Sequence, residues 1–263
     1  MIGFFFGDSD LPAHILKSIK KKKIKYLIID LSKKNRFKRE KNSFRISIGQ
    51  FGKIVKILKK NNCKQVIFAG KINKPNFSNL KLDLMGLYYM PRIIRAAKKG
   101  DAAIFKELIK ILTLKKIKLI SSISFNPELS FDKGNYSKIK PDKFDLIDIK
   151  KGISELNNSE SYDHVQAIVI RNNKIIARET TNGTKKMLQK IKKINRVCGS
   201  LIKFPKKKQD LRVDLPTVGF DTFKDCKKAG LKGLVLKARK SIFLDKKKCV
   251  NFANKNKMFL VVK

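Results

Sequence analysis

The chain has 263 residues, 42% of them hydrophobic, and its 63 Lys plus Arg against 21 Asp plus Glu leave a net charge of +42. So much apolar content, 18 Phe included, excludes a disordered chain and allows one large domain or two of ordinary size. No apolar run reaches the ~18 residues of a membrane-spanning helix. The short opening run Ile2 to Phe6, closed by Gly7-Asp8-Ser9-Asp10, is no secretory signal, so a cytoplasmic protein, soluble or peripheral, is expected.

Basicity of this size suggests nucleic acid or an anionic membrane surface as a partner. The excess, however, is nearly all Lys and runs along the whole chain beside abundant Ile and Asn. An AT-rich coding sequence produces that pattern on solvated faces. A nucleic-acid surface instead concentrates Arg and interleaved aromatics in one place, so nucleic-acid binding stands as a rival function only. Cys63, Cys198, Cys226 and Cys249 show no CxxC or CxxH spacing, and the chain has only His14 and His164. A zinc site or histidine-rich metal centre is therefore not expected, and isolated thiols suit a reducing cytosol.

In chain order, Ile2 to Phe6 predicts a buried strand, followed by a helix near Leu11 to Lys20 with Pro12 in its first turn. Strands are predicted at Tyr26 to Leu31, Phe44 to Ile48 and Gln65 to Ala69, with a helix marked by Ile54, Val55, Ile57 and Leu58. Alternation of this kind implies βαβ units and a largely parallel sheet. A polar loop from Lys71 to Leu82 leaves a strand's carboxyl end, where ligands bind in open α/β sheets. Helices near Leu87 to Lys98 and Ala102 to Leu112 follow, then a strand from Lys118 to Ser122. The polar stretch 131–143 reads as a linker between an N-terminal α/β domain (1–130) and a C-terminal α/β catalytic domain (144–263). Beyond it come a helix near Phe144 to Leu156, a hairpin across Asn172-Asn173, a helix from Thr184 and a strand at Ser200 to Phe204. The end alternates again, through helix Thr222 to Ala229, strands Gly233 to Leu236 and Ser241 to Leu244, a helix after Asp245 and strand Met258 to Val262.

One segment concentrates chemistry: Gln209-Asp210-Leu211-Arg212-Val213-Asp214-Leu215, bracketed by Pro205 and Pro216. If it is extended, Asp210, Arg212 and Asp214 share one face. Two carboxylates beside a guanidinium suit Mg²⁺ held next to a phosphate, because oxygen ligands bind the hard cation and Arg forks onto phosphate oxygens. An exposed strand whose charges merely pair explains the same spacing, worth about 0–1 kcal/mol. Gly3-x-x-x-Gly7 ahead of a helix, and Gly183-Thr184 at another, are either anion cradles or ordinary turns and caps. A dinucleotide oxidoreductase would place an acidic residue where Asp30 stands, but GxGxxG is missing.

The run Gln209 to Leu215, continued by Pro216-Thr217-Val218-Gly219, resembles the UDP-2,3-diacylglucosamine pyrophosphatases of the lipid A pathway, the family unrelated to the calcineurin-like metallophosphatases. Further matches are Gly7 with Leu11-Pro12, Gly49 with Gly52, Ala69-Gly70-Lys71, Gly100-Asp101, Val165-Gln166-Ala167, Glu179 with Gly183-Thr184, Ala229-Gly230-Leu231-Lys232-Gly233, and Phe259-Leu260-Val261-Val262. The resemblance implies two α/β domains closing around a central substrate cleft. It implies Mg²⁺-dependent hydrolysis of UDP-2,3-diacylglucosamine to UMP and 2,3-diacylglucosamine 1-phosphate in a Gram-negative cytoplasm, with the anionic inner-membrane surface as a further partner and a homodimer left open. Asp210 becomes the Mg²⁺ ligand or water-orienting group, Asp214 the second carboxylate and ligand, and Arg212 the phosphate holder. Gln209, Thr217, Lys203, Gly70, Lys71, Gly7, Asp101, Gly183 and Thr184 are carried over as substrate-binding. The chain departs from the family pattern with Lys74 before Pro75, Ala102 after Asp101 and Lys185 after Thr184. Lys74 keeps the charge of the usual Arg but loses its bidentate fork.

Overall fold

Five apolar residues in succession at the start of the chain have no solvent face to offer, and Ile2–Phe6 forms the centre of a sheet. The computed structural model describes residues 1–72, 77–158, 165–191, 197–206 and 210–263. They divide into two units, Met1–Asn126 and Pro127–Lys263.

The first unit runs β1 (Ile2–Phe6), α1 (Leu11–Lys21), β2 (Tyr26–Asp30), β3 (Ser43–Arg45), α2 (Phe51–Lys60), β4 (Gln65–Ala69), α3 (Leu84–Lys98), α4 (Asp101–Leu114), β5 (Lys118–Leu119) and α5 (Ser122–Phe125). Its sheet is wholly parallel, in the order β3-β2-β1-β4-β5. Successive β1 residues serve opposite faces. Phe5 stacks on Phe68 at 4.5 Å, while Phe4 meets Phe125 at 5.4 Å and Phe6 meets Phe37 at 4.9 Å. The predicted strand at Lys118 to Ser122 is cut short because the Ser121 side chain accepts the Ser124 N–H (3.1 Å) and caps α5. Helix α3 starts earlier than expected for the same kind of reason: the Asp83 carboxylate accepts the Gly86 N–H at 2.8 Å.

The second unit runs β6 (Gly134–Asn135), α6 (Lys143–Asn158), β7 (Ala167–Arg171), β8 (Lys174–Arg178), α7 (Gly183–Gln189), β9 (Ser200–Lys203), β10 (Thr217–Val218), α8 (Phe220–Lys228), β11 (Gly233–Leu236), β12 (Ile242–Phe243), α9 (Lys246–Lys255) and β13 (Phe259–Val262). The main sheet has the order β6-β13-β11-β9-β7-β8. Strands β13, β11 and β9 are parallel; β6, β7 and the hairpin partner β8 run antiparallel to their neighbours. Strands β10 and β12 form a separate parallel pair. Residues 131–143, expected as a linker, contribute β6, whose Gly134 pairs with Val262. The hairpin turn falls on Asn172 (φ 50°) and Asn173 (φ 58°), as two-residue turns with positive φ at both positions favour.

Both faces of this sheet are covered. Val169, Leu201, Leu234 and Leu260 pack with Phe223 of α8 and Ala253 of α9. The alternate residues Ile168, Ile170, Ile202, Val235 and Val261 pack with Ile149 and Leu156 of α6. An all-apolar strand between two helical layers is what parallel packing demands, and the α/β organisation in two domains is as expected from the sequence.

In the first unit the loops after β1 and β4 meet at the sheet's carboxyl edge, at the point where strand order reverses. The Asp8 N–H donates to the Lys71 carbonyl at 2.9 Å, and the Lys71 N–H donates back to the Asp8 carbonyl at 2.8 Å. Only glycine permits this approach: a Cβ on Gly7 would lie 2.4 Å from the Lys71 carbonyl oxygen, and one on Gly70 (φ +86°) 2.3 Å from that of Asp8. Gly70→Ala is accordingly expected to destabilise the first unit by about 1–3 kcal/mol. The check is a urea melt, in which the midpoint falls with little change in slope; an unmoved midpoint would show the contact to be dispensable.

Candidate active site

The register of the second sheet decides which side chains share its carboxyl edge. Lys203 ends β9 and pairs with Ala167, the first residue of the antiparallel β7. The Phe204 N–H donates to the Gln166 carbonyl and the Glu179 N–H to the Ala167 carbonyl, both at 2.9 Å. Three strand ends thus deliver Gln166, Glu179 and Lys203 to one place.

There the side chains form a hydrogen-bonded chain. The Lys203 ammonium donates to the Thr184 hydroxyl at 2.7 Å, and that hydroxyl donates to Glu179 Oε1 at 2.5 Å. Glu179 Oε2 accepts the Gln166 N–H at 3.2 Å. Gln166 in turn points its Nε2 at Asp214 Oδ2, 3.4 Å away. Lys203 and Glu179 are each only 8% exposed. Burial pushes the Lys203 ammonium towards losing its proton, and the negative charges of Glu179 and then Asp214 push the other way.

The segment from Asp210 onward is not the extended strand that the alternation suggested. Residues 211–213 form a turn, closed by Val213 and Asp214 N–H groups that both donate to the Asp210 carbonyl at 3.1 Å. The Asp210 side chain accounts for this. Its carboxylate accepts the Arg212 backbone N–H (3.0 Å), and Arg212 forks onto it through Nε (2.9 Å) and Nη2 (2.7 Å). A local acceptor of this kind competes with any strand ladder. The fork also holds the Asp210 carboxyl below the usual carboxylate range. Asp210 and Arg212 therefore face each other, and Asp214 faces Gln166, instead of all three sharing one strand face. Thr217 opens β10, its hydroxyl donating to the Leu215 carbonyl at 3.2 Å.

Of the other sequence-derived site residues, Gly7, Gly70 and Lys71 come together in the first unit as described, and Gly183 begins α7 beside Thr184. Gln209, Lys74 and His164 lie outside the described residues, and of Asp101 only the backbone position, at the start of α4, is described. Asp30, the acidic residue that an oxidoreductase would aim at a ribose, is fully buried and spent on its own loop. It accepts the Ser32 N–H (2.8 Å), the Ser32 hydroxyl (2.6 Å) and the Phe37 N–H (3.1 Å). Among the described residues no three or more His, Cys, Asp or Glu side chains gather in a way that would hold a metal ion by themselves.

Comparison with known proteins places the chain in a family. The model of the LpxI N-terminal domain matches residues 1–129, and that of the LpxI C-terminal domain matches residues 132–261. The chain belongs to the LpxI family. A relative from Caulobacter vibrioides, named UDP-2,3-diacylglucosamine pyrophosphatase LpxI, is 30% identical over 224 residues, covering 82% of this chain and 80% of its own length. Sequence reasoning did not place Glu179 among the site residues, although it belongs to the hydrogen-bonded chain at this edge. It sits isolated between a strand and a glycine turn, and only its pairing across the sheet reveals its partners.

Replacing the ammonium by an apolar group of similar length tests whether this edge is a charged pair. Lys203→Met leaves the buried Glu179 carboxylate without its cation, a loss on the order of 3–5 kcal/mol. The thermal midpoint is expected to fall by roughly 10 °C. An unchanged midpoint in calorimetry would mean that the Lys203–Thr184–Glu179 chain does not stabilise this edge.

Proposed function

We propose that the chain hydrolyses the diphosphate of UDP-2,3-diacylglucosamine, giving UMP and 2,3-diacylglucosamine 1-phosphate in lipid A synthesis, with the carboxyl edge of its second unit as the reaction site. What supports the reading most is the buried Lys203 ammonium beside the Asp210–Asp214 turn, in a chain that matches both LpxI domains. Lys203 and Arg212 are cations suited to diphosphate oxygens. Arg212 has the planar fork that matches two phosphate oxygens, and Lys203 contributes a point charge in a water-poor setting where it is weakly screened. Together they offset the repulsion that the diphosphate presents to an incoming water and the charge that builds on the departing phosphate. Asp214, with one oxygen beside Gln166, would orient the water. Water adds to a phosphorus, the bond from that phosphorus to the bridging oxygen breaks, and the two phosphate monoesters separate.

The donor set also suits Mg²⁺, which commonly takes only one or two carboxylates and fills its shell with water and substrate phosphate. Asp210 and Asp214, joined by one backbone hydrogen bond, would hold it. When bound, it would polarise the phosphoryl oxygens. Purified protein with Mg²⁺ is expected to release UMP from UDP-2,3-diacylglucosamine. EDTA should abolish the release, and Asp210→Ala should lower kcat by at least about a hundredfold. UMP release that survives both treatments would remove Asp210 and the metal from the mechanism while leaving the activity in place.

The substrate is a lipid, and the first unit carries a surface suited to reaching it. Helix α3 exposes Leu84 (88%), Leu87 (58%) and Tyr88 (72%) along one stripe, followed by exposed Arg95 and Lys98. An apolar stripe with basic residues beside it fits the headgroup layer of an anionic bilayer. Four unpaired cysteines agree with a cytoplasmic side. The protein is expected to pellet with phosphatidylglycerol-containing vesicles at low salt and not with phosphatidylcholine vesicles, and Leu87→Glu should halve the bound fraction or more. Equal recovery in the supernatant with both lipids would end the membrane proposal.

A further inference from the structure

Buried ion pairs are expensive. Two charges lose their hydration, and apolar residues of similar volume commonly replace such pairs at no cost in stability. The Lys203–Thr184–Glu179 chain is buried at both charged ends, and its geometry goes beyond what holding a sheet edge needs.

The direction of its hydrogen bonds follows from the groups themselves. An ammonium only donates and a carboxylate only accepts, so the Thr184 hydroxyl must receive from Lys203 (2.7 Å) and give to Glu179 (2.5 Å). One hydroxyl thereby separates cation from anion. A direct Lys–Glu bridge would set the carboxylate against any phosphate competing for the ammonium. With Thr184 between them, Glu179 favours the charged form of Lys203 at one remove and leaves the ammonium able to turn towards a ligand. Glu179 cannot swing away, because its second oxygen holds the Gln166 N–H at 3.2 Å and its own N–H is tied to the Ala167 carbonyl at 2.9 Å. Besides Thr184, the groups that bear electrostatically on Lys203 are Glu179, Asp214 and the Cys226 thiol of α8. The thiol is fully buried and pushed up by that burial, so it adds no charge, and Asp214 lies on the side of the turn proposed to meet substrate.

We propose that Glu179 is a positioning residue for the diphosphatase reaction: acting through the Thr184 hydroxyl, it holds the Lys203 ammonium in place at the carboxyl edge of the second sheet for the substrate's diphosphate. This rests on the functional reading above. Glu179 itself touches no substrate in this arrangement. The consequence is that substitutions at Glu179 and Thr184 act only while Lys203 is present.

Steady-state UMP release from UDP-2,3-diacylglucosamine tests it with wild type, E179Q, T184V, T184S, K203M and the double variant E179Q/K203M, each checked for native circular dichroism. Thr184→Ser keeps the hydroxyl and is expected to stay within about threefold of wild type in kcat/KM. Thr184→Val and Glu179→Gln are expected to lose about ten- to a hundredfold. Adding Glu179→Gln to Lys203→Met should cost no more than about twofold further, since coupled positions are non-additive. If Glu179→Gln costs the same factor in both backgrounds, or Thr184→Ser loses as much as Thr184→Val, the relay is overturned and the network is structural. A wild type that turns over alongside an equally active E179Q overturns the relay alone. A folded wild type that releases no UMP overturns the functional reading and the relay together. Should E179Q fail to fold, the valine–serine comparison at Thr184 decides.

Discussion

Strands with no face for water are the constraint on which both units depend. Phe4, Phe5 and Phe6 in the first unit, like Leu234, Val235 and Leu236 in the second, are buried in succession, on both faces. Such strands must lie between two layers, and parallel neighbours joined through crossover helices are the common way to supply them. Crossovers collect the outgoing loops at one edge. In the second unit the antiparallel β7 adds its beginning, and β8 its end, to the edge where β9 finishes. The convergence of Gln166, Glu179 and Lys203 is thus a by-product of burying Ile and Val on both faces of the sheet.

Buried charges among the described residues differ in the partners they choose. Asp30 is satisfied by donors from residues 32 and 37, and Asp148 by the backbone N–H groups of Asn172 (3.1 Å) and Asn173 (2.5 Å). In each case a carboxylate takes backbone donors of a tight loop or turn and fixes its shape. Asp30 also has a cation, Arg45 of β3 at 3.6 Å, but that cation is exposed; Lys203 and Glu179 differ because both are buried and they meet through a third side chain at a sheet edge. Completing a turn has no use for a cation of that kind.

Legibility in the sequence followed the range of the interactions. Strands β1, β4 and β11 and helices α1 and α2 were readable because apolar runs and helical spacing are local signals, and Asn172-Asn173 declared its turn through the positive φ both residues tolerate. That the Asp210–Asp214 segment turns, where its alternation suggests an extended strand, was not legible for an equally local reason. Alternation of charged and apolar residues is a period-two pattern, and nothing in it announces that Arg212 will fold back onto the carboxylate two residues earlier. Resemblance to a family supplied Lys203 and Thr184 as binding residues, but not that one donates to the other. That depends on the β7–β9 register and on where α7 starts, which no single segment encodes. The same limit applies to residues 131–143, whose Gly, Asn and Ser composition reads as a linker while Gly134 and Asn135 pair with β13 at the far end of the chain.

The net charge of +42 is the most conspicuous property of the sequence, and the structure shows why it explains least about the chemistry. Many of the lysines are exposed, and some are answered by nearby carboxylates, as Lys20 is by Glu40 and Lys224 by Asp221. At physiological ionic strength the field of exposed charges fades over about 8 Å. It raises the encounter rate with any polyanion, nucleotide or membrane alike, and distinguishes none of them. The Lys203 ammonium is the opposite case. Out of water it is barely screened, its direction is set by one hydroxyl, and burial pulls its pKa down while the negative charge of Glu179 pushes it up. One lysine so placed does what the dispersed excess cannot: it assigns charge to a single point in a fixed orientation.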